Sequence, residues 1–509
     1  MLLGALAATG FEPMRLWPLA LIALAVLIEL VARAHSLRQA LLIGWLFGVA
    51  HFTLGHNWIA TAFQHQAEMP AWLGWIAVLG LSLYLAVWPA LAAGLAWRFL
   101  RTNYATLVTG FAGAWIVTEW CRGWVFTGFP WNPLAAMALG SFERPGLASL
   151  APWMGTYALS GLVVLLSGAW LIAAKRARID WRGAALVMVP LALFAWFPGA
   201  SRPTTSEPGP AFTLIQPLTT QAMLHDPAQF EATFQRSMAL SQSRQPDATR
   251  LVFWPESGLP DFLEAGYPQA WYDATTYGAD PALARQRIGR MIGANSILLT
   301  GNDRLEIKDG QVVGARAGIT AIDASGKVRA MYAKSHLVPY GEYVPLKWLL
   351  EPLGLSRLVP GDIEFWPGPG PRTLDLGQWG RPGMLLCYEV IFSGEVVEPG
   401  NRPQVLFNPS NDGWYGAWGP PQHLAQARLR AIEEGLPLLR STTTGISAVV
   451  DAHGKVLQSL PLGGAGRLDG VLPAALSPTL FSQLGNKLAL GWALLLLALS
   501  MVASRRRKG

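Results

Sequence analysis

Cysteine is scarce in this chain: Cys121 and Cys387 are the only two in 509 residues. They lie far apart in dissimilar surroundings, which excludes a disulfide framework and offers no thiolate metal-ligand spacing. Charge is also sparse. Asp, Glu, Lys and Arg make up 14% of the residues, against 52% hydrophobic residues and 23 tryptophans, and a soluble globule carries about 25% charged residues. That balance excludes a soluble protein and points to an integral membrane protein. The N-terminus lacks both a basic n-region and a small-residue cleavage site, so a cleavable signal peptide is not expected. A net charge of +7 does not signal nucleic acid, because the basic residues fall in short clusters beside apolar segments, as membrane topology demands.

Eight apolar segments are present, at about 2–10, 16–32, 40–63, 71–100, 105–121, 147–174, 184–198 and 486–503. Most are long enough for a hydrocarbon core, which needs about 20 helical residues. The first is too short to span by itself; either the start codon falls late, or a half-helix breaks at "FEPMRLWP", where Pro13 cannot continue it. Arg33 and Arg38 follow the second segment, Arg98 and Arg101 the fourth, Lys175, Arg176, Arg178 and Arg182 the sixth, and "SRRRKG" the eighth. The odd-numbered exits carry few such charges, Arg15 and Arg122 among them. The positive-inside rule then puts both termini in the cytoplasm and the region between segments seven and eight on the other side, the periplasm of a Gram-negative cell.

Three parts are expected: a seven-segment helix bundle over 1–204, an extramembrane domain over 205–480, and a last membrane helix with a basic tail over 481–509. The linker "SRPTTSEPGP" introduces the middle part. There, short β-rich runs ("AFTLIQ", "RLVFW", "SILLTG", "GMLLC", "QVLFN") alternate with helical stretches at about 228–243, 281–293 and 420–435, the texture of an α/β domain. "GITAIDASGKV" at 318 and "GISAVVDAHGKV" at 445 resemble each other, each reading as a hairpin around an Asp- and Gly-bearing turn, and hint at two similar halves. In the bundle, "TEWCRGWVFTGFPWNP" is the densest polar and aromatic cluster. Its Glu119 and Arg122 read as an interfacial ion pair or a headgroup contact, and Cys121 as core. His51, His56 and Asn57 share a helical face, yet "HFTLGHN" has no carboxylate partner and no metal site is expected. Glu29 falls near the cytoplasmic end of its segment.

Three reactive side chains in the α/β part stand where an apolar run ends: Glu256 in "RLVFWPESGLP", Lys334 in "VRAMYAKSHLVPYGEYVP" and Cys387 in "PGMLLCYEVIF". Taken singly, each has an ordinary reading: a turn glutamate, a surface lysine, and a buried small hydrophobe. Together, at strand ends where α/β folds place their sites, they supply a base, a cation and a thiol. A base makes the thiol a nucleophile, and a cation favours thiolate and oxyanion alike.

The order Glu, Lys, Cys in the settings "WPES", "KSHLVPYGE" and "CYE" resembles the carbon–nitrogen hydrolase (nitrilase) superfamily. With the flanking membrane segments, and with "GFEPMRLWPL", "RGWVFTGFPWNPL", "SNDGWYG" and "GPPQHLAQARLRAIEEGLPLLRSTTTGISAVVD", the chain resembles the apolipoprotein N-acyltransferase family, a membrane-bound branch of that superfamily. The resemblance implies a nitrilase-type αββα sandwich on a polytopic bundle of about eight membrane helices. It also implies a two-step acyl transfer. Glu256 would be the base for Cys387, which attacks the sn-1 ester of a phospholipid such as phosphatidylethanolamine, and Lys334 would hold the oxyanion. The α-amino group of an S-diacylglyceryl cysteine at a lipoprotein's N-terminus would then take the acyl chain from the thioester. No metal or diffusible cofactor is implied, and a monomer is expected. Glu342 matches a second active-site glutamate. Tyr388 matches a position whose backbone N–H suits an oxyanion donor, and Glu389 one that would orient Lys334 or its loop. Trp414 and Tyr415 would sit on a mobile arm over the site.

The chain departs from the family at His225, which precedes Asp226 where tryptophan is usual; a loop histidine without a catalytic proton is expected there. The "IQPLTT" start of the domain also departs from the usual one. The segment 337–371 carries Trp348, Leu349, Leu350, Leu353 and Leu355 between prolines and glycines. With Trp418 in "GWYGAWGPP", it would meet lipid or else close the domain's own core. Two other readings stand beside acyl transfer: a membrane-tethered amidase, which would need a single anchor rather than eight segments, and a non-catalytic lipid- or peptide-binding module, which would not need all three reactive residues.

Overall fold

The computed structural model describes residues 1–65, 70–100, 103–177, 181–197, 209–244, 248–350 and 363–506. Arg101, Arg178, Leu353, Leu355, most of the "SRPTTSEPGP" linker and the last three residues of the basic tail lie outside the described residues. The N-terminal part is helical: α1 (Leu2–Ala8), α2 (Trp17–Arg33), α3 (Leu37–Gly55), α4 (Ile59–Ala62), α5 (Leu73–Leu85), α6 (Val87–Leu100), α7 (Tyr104–Arg122), α8 (Ala151–Ala177) and α9 (Trp181–Trp196). Every apolar segment thus finds a helix, and α1 ends before Pro13. Among the described residues, four stretches are long and apolar enough to cross a membrane: Leu37–Gly55, Leu73–Phe99, Leu147–Ala177 and, near the C-terminus, Asn486–Arg505. The expected eight spans are not reached on length and composition. Helix α1 has seven residues and α2 seventeen, while α7 is diluted by threonines, glycines, Glu119 and Arg122.

The basic helix ends converge. Lys175 Nζ near the end of α8 lies 2.9 Å from Glu29 Oε2 near the end of α2, and Trp97 Nε1 of α6 donates to Ala34 O just past α2. The opposite end of α8 faces the α/β part. Gly155, at φ +76°, interrupts the helix there, in backbone geometry that favours glycine, and it frees the N–H of Thr156.

The α/β part comprises β1 (Ala211–Gln216), α10 (Gln221–Leu224), α11 (Pro227–Ser241), β2 (Arg250–Phe253), α12 (Gln269–Thr275), α13 (Pro281–Ile292), β3 (Ser296–Lys308), β4 (Gln311–Asp323), β5 (Val328–Ala333), α14 (Lys347–Leu350), β6 (Arg372–Thr373), β7 (Pro382–Met384), β8 (Val405–Ser410), α15 (Gly419–Glu434), β9 (Leu438–Thr442), β10 (Ala448–Val450), β11 (Val456–Ser459) and β12 (Gly466–Val471). A short helix, α16 (Leu480–Leu484), leads into the long α17 (Asn486–Arg505), which returns the chain to the bundle, where Ser500 Oγ donates to Thr106 O of α7.

The strands form two six-stranded sheets, ordered β12-β1-β2-β3-β4-β5 and β11-β10-β9-β8-β7-β6. In each, three parallel strands (β1–β3, β7–β9) are followed by an antiparallel hairpin pair (β4–β5, β10–β11). The two look-alike sequence segments form those hairpins, and their turns are built alike. Asp323 Oδ1 accepts from the N–H of Ser325 and Lys327, and Asp451 Oδ1 from those of His453 and Lys455. Gly326 and Gly454 take φ of +79° and +80°.

The sheets face each other through Leu214, Leu251, Leu299, Leu406 and Leu439, with the rings of Phe253 and Phe407 at 4.6 Å. Helices α11 and α13 cover the outer face of the first sheet through Phe234, Met238, Ile288 and Ile292. Helix α15 covers the second. Its Leu424, Ala427 and Ala431 join the sheet core, whereas Ala425, Leu429 and Ile432 join the core of the membrane bundle. Both faces of α15 are therefore apolar seams, and the polar residues between them are buried as well, Gln422, His423, Arg428, Arg430, Glu433 and Glu434 included.

These buried groups are paired, as burial requires. Arg430 Nε lies 2.7 Å from Glu433 Oε2, and Arg430 Nη2 donates to Thr156 Oγ1. Glu433 Oε1 accepts the freed Thr156 N–H at 2.6 Å. Arg428 donates to the carbonyls of Gly140, Ser141 and Gly454. Removing one partner strands a buried charge, at a cost of about 3–5 kcal/mol. Glu433→Ala in the full-length, detergent-solubilised protein is expected to lower the apparent Tm well below that of Lys455→Ala, a surface control. Equal Tm values would show that the α15 ion pair does not hold the two parts together.

Candidate active site

Glu256, Lys334 and Cys387 follow β2, β5 and β7. Within the first sheet, β5 runs in the same sense as β2 and β3, because each of the two turns through β4 reverses the chain. Glu256 and Lys334 thus emerge at one end of that sheet. Glu256 sits in a turn stapled to β3: Gly301 N donates to Pro255 O and Gly258 N to Gly301 O. Gly301 is required here, since a Cβ at that position would lie 2.7 Å from the Glu256 Cα. The ladder of β7 ends at Met384, earlier than the apolar run suggests. The chain continues through Leu385, whose N–H still reaches Phe407 O, and turns at Cys387 with φ +50°. A side-chain-bearing residue held in the left-handed region marks a strained turn of the kind that active sites use to present a nucleophile.

Lys334 is 1% exposed. Its Nζ lies 2.8 Å from Glu342 Oε1 and 3.7 Å from Glu256 Oε1. Burial by itself would depress the ammonium, but the carboxylates of Glu342 and Glu256 and the nearby Cys387 outweigh it and hold Lys334 charged, well above the ordinary lysine value. Burial likewise raises Glu256, an effect that Lys334 opposes and Glu342 reinforces, and so leaves it a stronger base than a solvated carboxylate. Glu256 Oε2 accepts the Asn411 N–H at 2.8 Å, and the Cys387 thiol is near the same carboxylate. Cys387 is 3% exposed, and burial, reinforced by the Glu256 charge against that of Lys334, pushes its thiol far up. The resting thiol is protonated, so proton transfer to a neighbouring base must accompany any attack.

The surrounding carboxylates have separate work. Glu342 Oε2 accepts the Val338 N–H at 2.7 Å while Oε1 meets Lys334, tying the "VPYGE" loop to the ammonium. Glu389 is fully engaged in fixing two loops to each other. Its Oε1 accepts from Ser335 N and Oγ, both at 2.7 Å, its Oε2 from Leu386 N at 2.7 Å, and both oxygens from Tyr332 OH. It therefore binds the residue after Lys334 to the residue before Cys387, and it does not touch the Lys334 amine.

Tyr388 is buried, its ring against Phe392 and Phe129. Tyr415 is only 6% exposed, and its hydroxyl lies 3.3 Å from Cys387 Sγ; it is part of the site wall and not an arm standing over it. Trp414 is half-buried with its ring near His65, while Trp348 is 76% exposed. His225 is exposed at the end of α10, and Asp226 caps α11. Cys121 packs near Phe52, Leu85 and Trp88 in the bundle, and the imidazoles of His51 and His56 stack on Phe47 and Phe52.

Residues 3–169 match the family described as apolipoprotein N-acyltransferase N-terminal domain, and residues 215–479 the family described as carbon-nitrogen hydrolase. The chain is 36% identical to an apolipoprotein N-acyltransferase of Bradyrhizobium diazoefficiens, over 99% of this chain and 94% of that one. It is 34% identical to one of Rhodopseudomonas palustris, over 100% and 94%. Among solved structures, an amidase of the nitrilase superfamily from Nesterenkonia (19% identity, TM-score 0.36, 53% of this chain and 93% of that one) and a carbon-nitrogen hydrolase from Helicobacter pylori (14%, 0.38, 58% and 96%) are similar. A nitrilase-like domain carrying a half-buried Glu beside a buried Lys and Cys, joined to apolar helices and matched along nearly its whole length by these relatives, makes this chain a membrane-associated acyltransferase of the apolipoprotein N-acyltransferase family.

Proposed function

We propose that the chain moves an acyl group from the sn-1 position of a phospholipid, phosphatidylethanolamine in the first instance, to the α-amino group of the S-diacylglyceryl cysteine that begins an apolipoprotein. The observation that carries this reading is the dry cluster of Glu256, Lys334 and Cys387, whose supporting helix α15 is also part of the membrane bundle's core. Glu256 takes the Sγ proton as the sulfur attacks the ester carbonyl, and the oxyanion is held by the Lys334 ammonium and the Tyr388 N–H. The lysophospholipid alkoxide leaves with the proton from Glu256, and a thioester remains. The acceptor amine then attacks, gives its proton to Glu256, and expels the thiolate. Tyr415, whose phenol burial keeps protonated, can donate to the thiolate each time it appears.

A bundle of eight membrane helices with both termini in the cytoplasm and the α/β part in the periplasm suits this reading. The basic ends of α2, α6 and α8 lie together, at the end of the bundle away from α15, as the positive-inside rule asks. The exposed Leu346 and Trp348 give the segment beyond Glu342 an apolar surface suited to lipid. A hydrolase using the same three residues would need water as second nucleophile, and burial of Cys387 and Lys334 weighs against that.

Purified protein incubated with phosphatidylethanolamine and quenched without acceptor is expected to gain one acyl mass at Cys387, released by hydroxylamine. Lack of the adduct while a diacylated lipopeptide is turned over would end the thioester route, and discharge by water alone would favour the hydrolase. Cys387→Ala should abolish the adduct and Cys121→Ala leave it within about twofold; equal losses in two folded variants would contradict the assignment. Because the folded pKa of Glu256 is raised, the base is present above that value and lost as pH falls through it. The acid limb of acyl-enzyme formation should therefore lie above the ordinary glutamate value of 4.5. Glu256→Gln should cost about 10²–10⁴-fold in rate, and an acid limb at or below 4.5 would assign the base elsewhere.

A further inference from the structure

Behind the nucleophile lies a set of fully buried polar side chains that acyl transfer does not itself require: Asn408, Asp412, His423 and Arg440. Two of them, Asn408 and His423, meet at one atom. The Cys387 carbonyl oxygen, fixed by the left-handed turn of its residue, faces the protein interior, with His423 Nε2 at 3.1 Å and Asn408 Nδ2 at 3.3 Å. Asn408 Nδ2 also donates to Leu385 O at 2.7 Å. Arg440 organises the rest, donating to Asn408 Oδ1, to Ser410 Oγ at 2.9 Å, and to Asp412 Oδ1 and Oδ2 at 2.6 and 2.8 Å.

The partners dictate the form of the imidazole. Nε2 faces a carbonyl, which only accepts, so Nε2 carries hydrogen. Nδ1 lies 2.9 Å from Arg440 Nη2, and a guanidinium only donates, so Nδ1 offers its lone pair. Asp412 Oδ1, 3.2 Å from Nδ1, would favour a proton there, but its charge is already met by Arg440 at shorter range. A doubly protonated ring would set two cations side by side in a dry interior. Burial first, and the Arg440 charge second, push the ring down to about 4 and keep it neutral. The rings of Trp131 and Tyr415, with centroids 5.0 and 5.4 Å away, fix its plane, and Trp131 is itself held by Gln422.

We propose that His423, locked as the neutral Nε2–H tautomer by Arg440, is a positioning residue that clamps the Cys387 peptide in its strained turn and so aims Sγ at Glu256. The residue touches the backbone of the nucleophile and never the reacting atoms. The inference rests on Cys387 being the nucleophile, as proposed above, but not on the identity of the acyl donor.

The test uses the full-length protein in detergent and iodoacetamide as a small neutral electrophile, with alkylation of Cys387 followed by peptide mass spectrometry and Cys121 as the internal measure of unfolding. His423→Met and His423→Gln place side chains of the same length at the site, but only glutamine retains an N–H donor. The Met variant is expected to slow Cys387 alkylation at least fivefold, and the Gln variant to recover to within about twofold of wild type, with Cys121 unchanged in both. Alkylation of the Met variant at the wild-type rate, or a Gln variant as slow as Met, overturns the proposal. If His423→Met does not fold, Asn408→Ser, which removes the other donor to the same oxygen, is read by the same criterion. Since alkylation needs no lipid, a chain that shows this ordering but forms no adduct with phosphatidylethanolamine would sink the donor assignment alone.

Discussion

A buried ammonium between two carboxylates is the interaction on which the site depends. Lys334 would not stay charged in so dry a place without Glu256 and Glu342, and Glu256 would not stay ionised beside a second acid without Lys334. The three groups are mutually conditional, so the loops that carry them must arrive together. Glu389 provides for that by binding the backbone after Lys334 to the backbone before Cys387. The geometry of the cluster is thus set in large part by Glu342 and Glu389, which tie its loops together through backbone N–H groups.

The two sheets repeat one plan, three parallel strands and a hairpin, yet the equivalent strand ends carry different residues. The end of β2 bears Glu256, poised beside a thiol. The corresponding end of β8 bears Asp412, whose carboxyl burial would raise but the Arg440 guanidinium holds below the usual aspartate value. One half thus contributes the reactive acid, and the other a structural acid that supports the turn of Cys387 through His423. Asn411, one residue before Asp412, joins the halves by donating to Glu256.

Much of this was legible in the sequence. Apolar length and texture marked the helices and most strands, and the two Asp–Gly hairpin segments announced the repeat. Glu256, Lys334 and Cys387 were legible because chemistry-bearing residues at the ends of apolar runs stand out. What escaped was polar residues buried by tertiary packing. "GPPQHLAQARLRAIEE" reads as a helix, and only the seating of α15 between two cores shows that its polar residues have no solvent to face; His423 was missed for that reason, and Asp412 and Arg440, which lie outside that helix, because only tertiary packing brings them to it. Tyr415, in a Gly-rich stretch that reads as a loose arm, is fixed by Trp58 and Trp131 from the bundle, partners separated from it by hundreds of residues. Four of the apolar stretches have the length and composition of a span, and α7, more polar, is held in addition by buried contacts of Glu119 and Arg122 with Leu134, Phe129 and Trp131.

The seating of α15 also bears on modularity. A soluble domain tethered to a membrane anchor can be exchanged, excised or re-attached, because each unit closes its own interior. Here Ala425, Leu429 and Ile432 complete one interior and Leu424, Ala427 and Ala431 the other, so a cut between the parts would open both. Folding of the helix bundle and folding of the α/β part therefore form one assembly problem, and the surroundings of Cys387 are complete only when both are done.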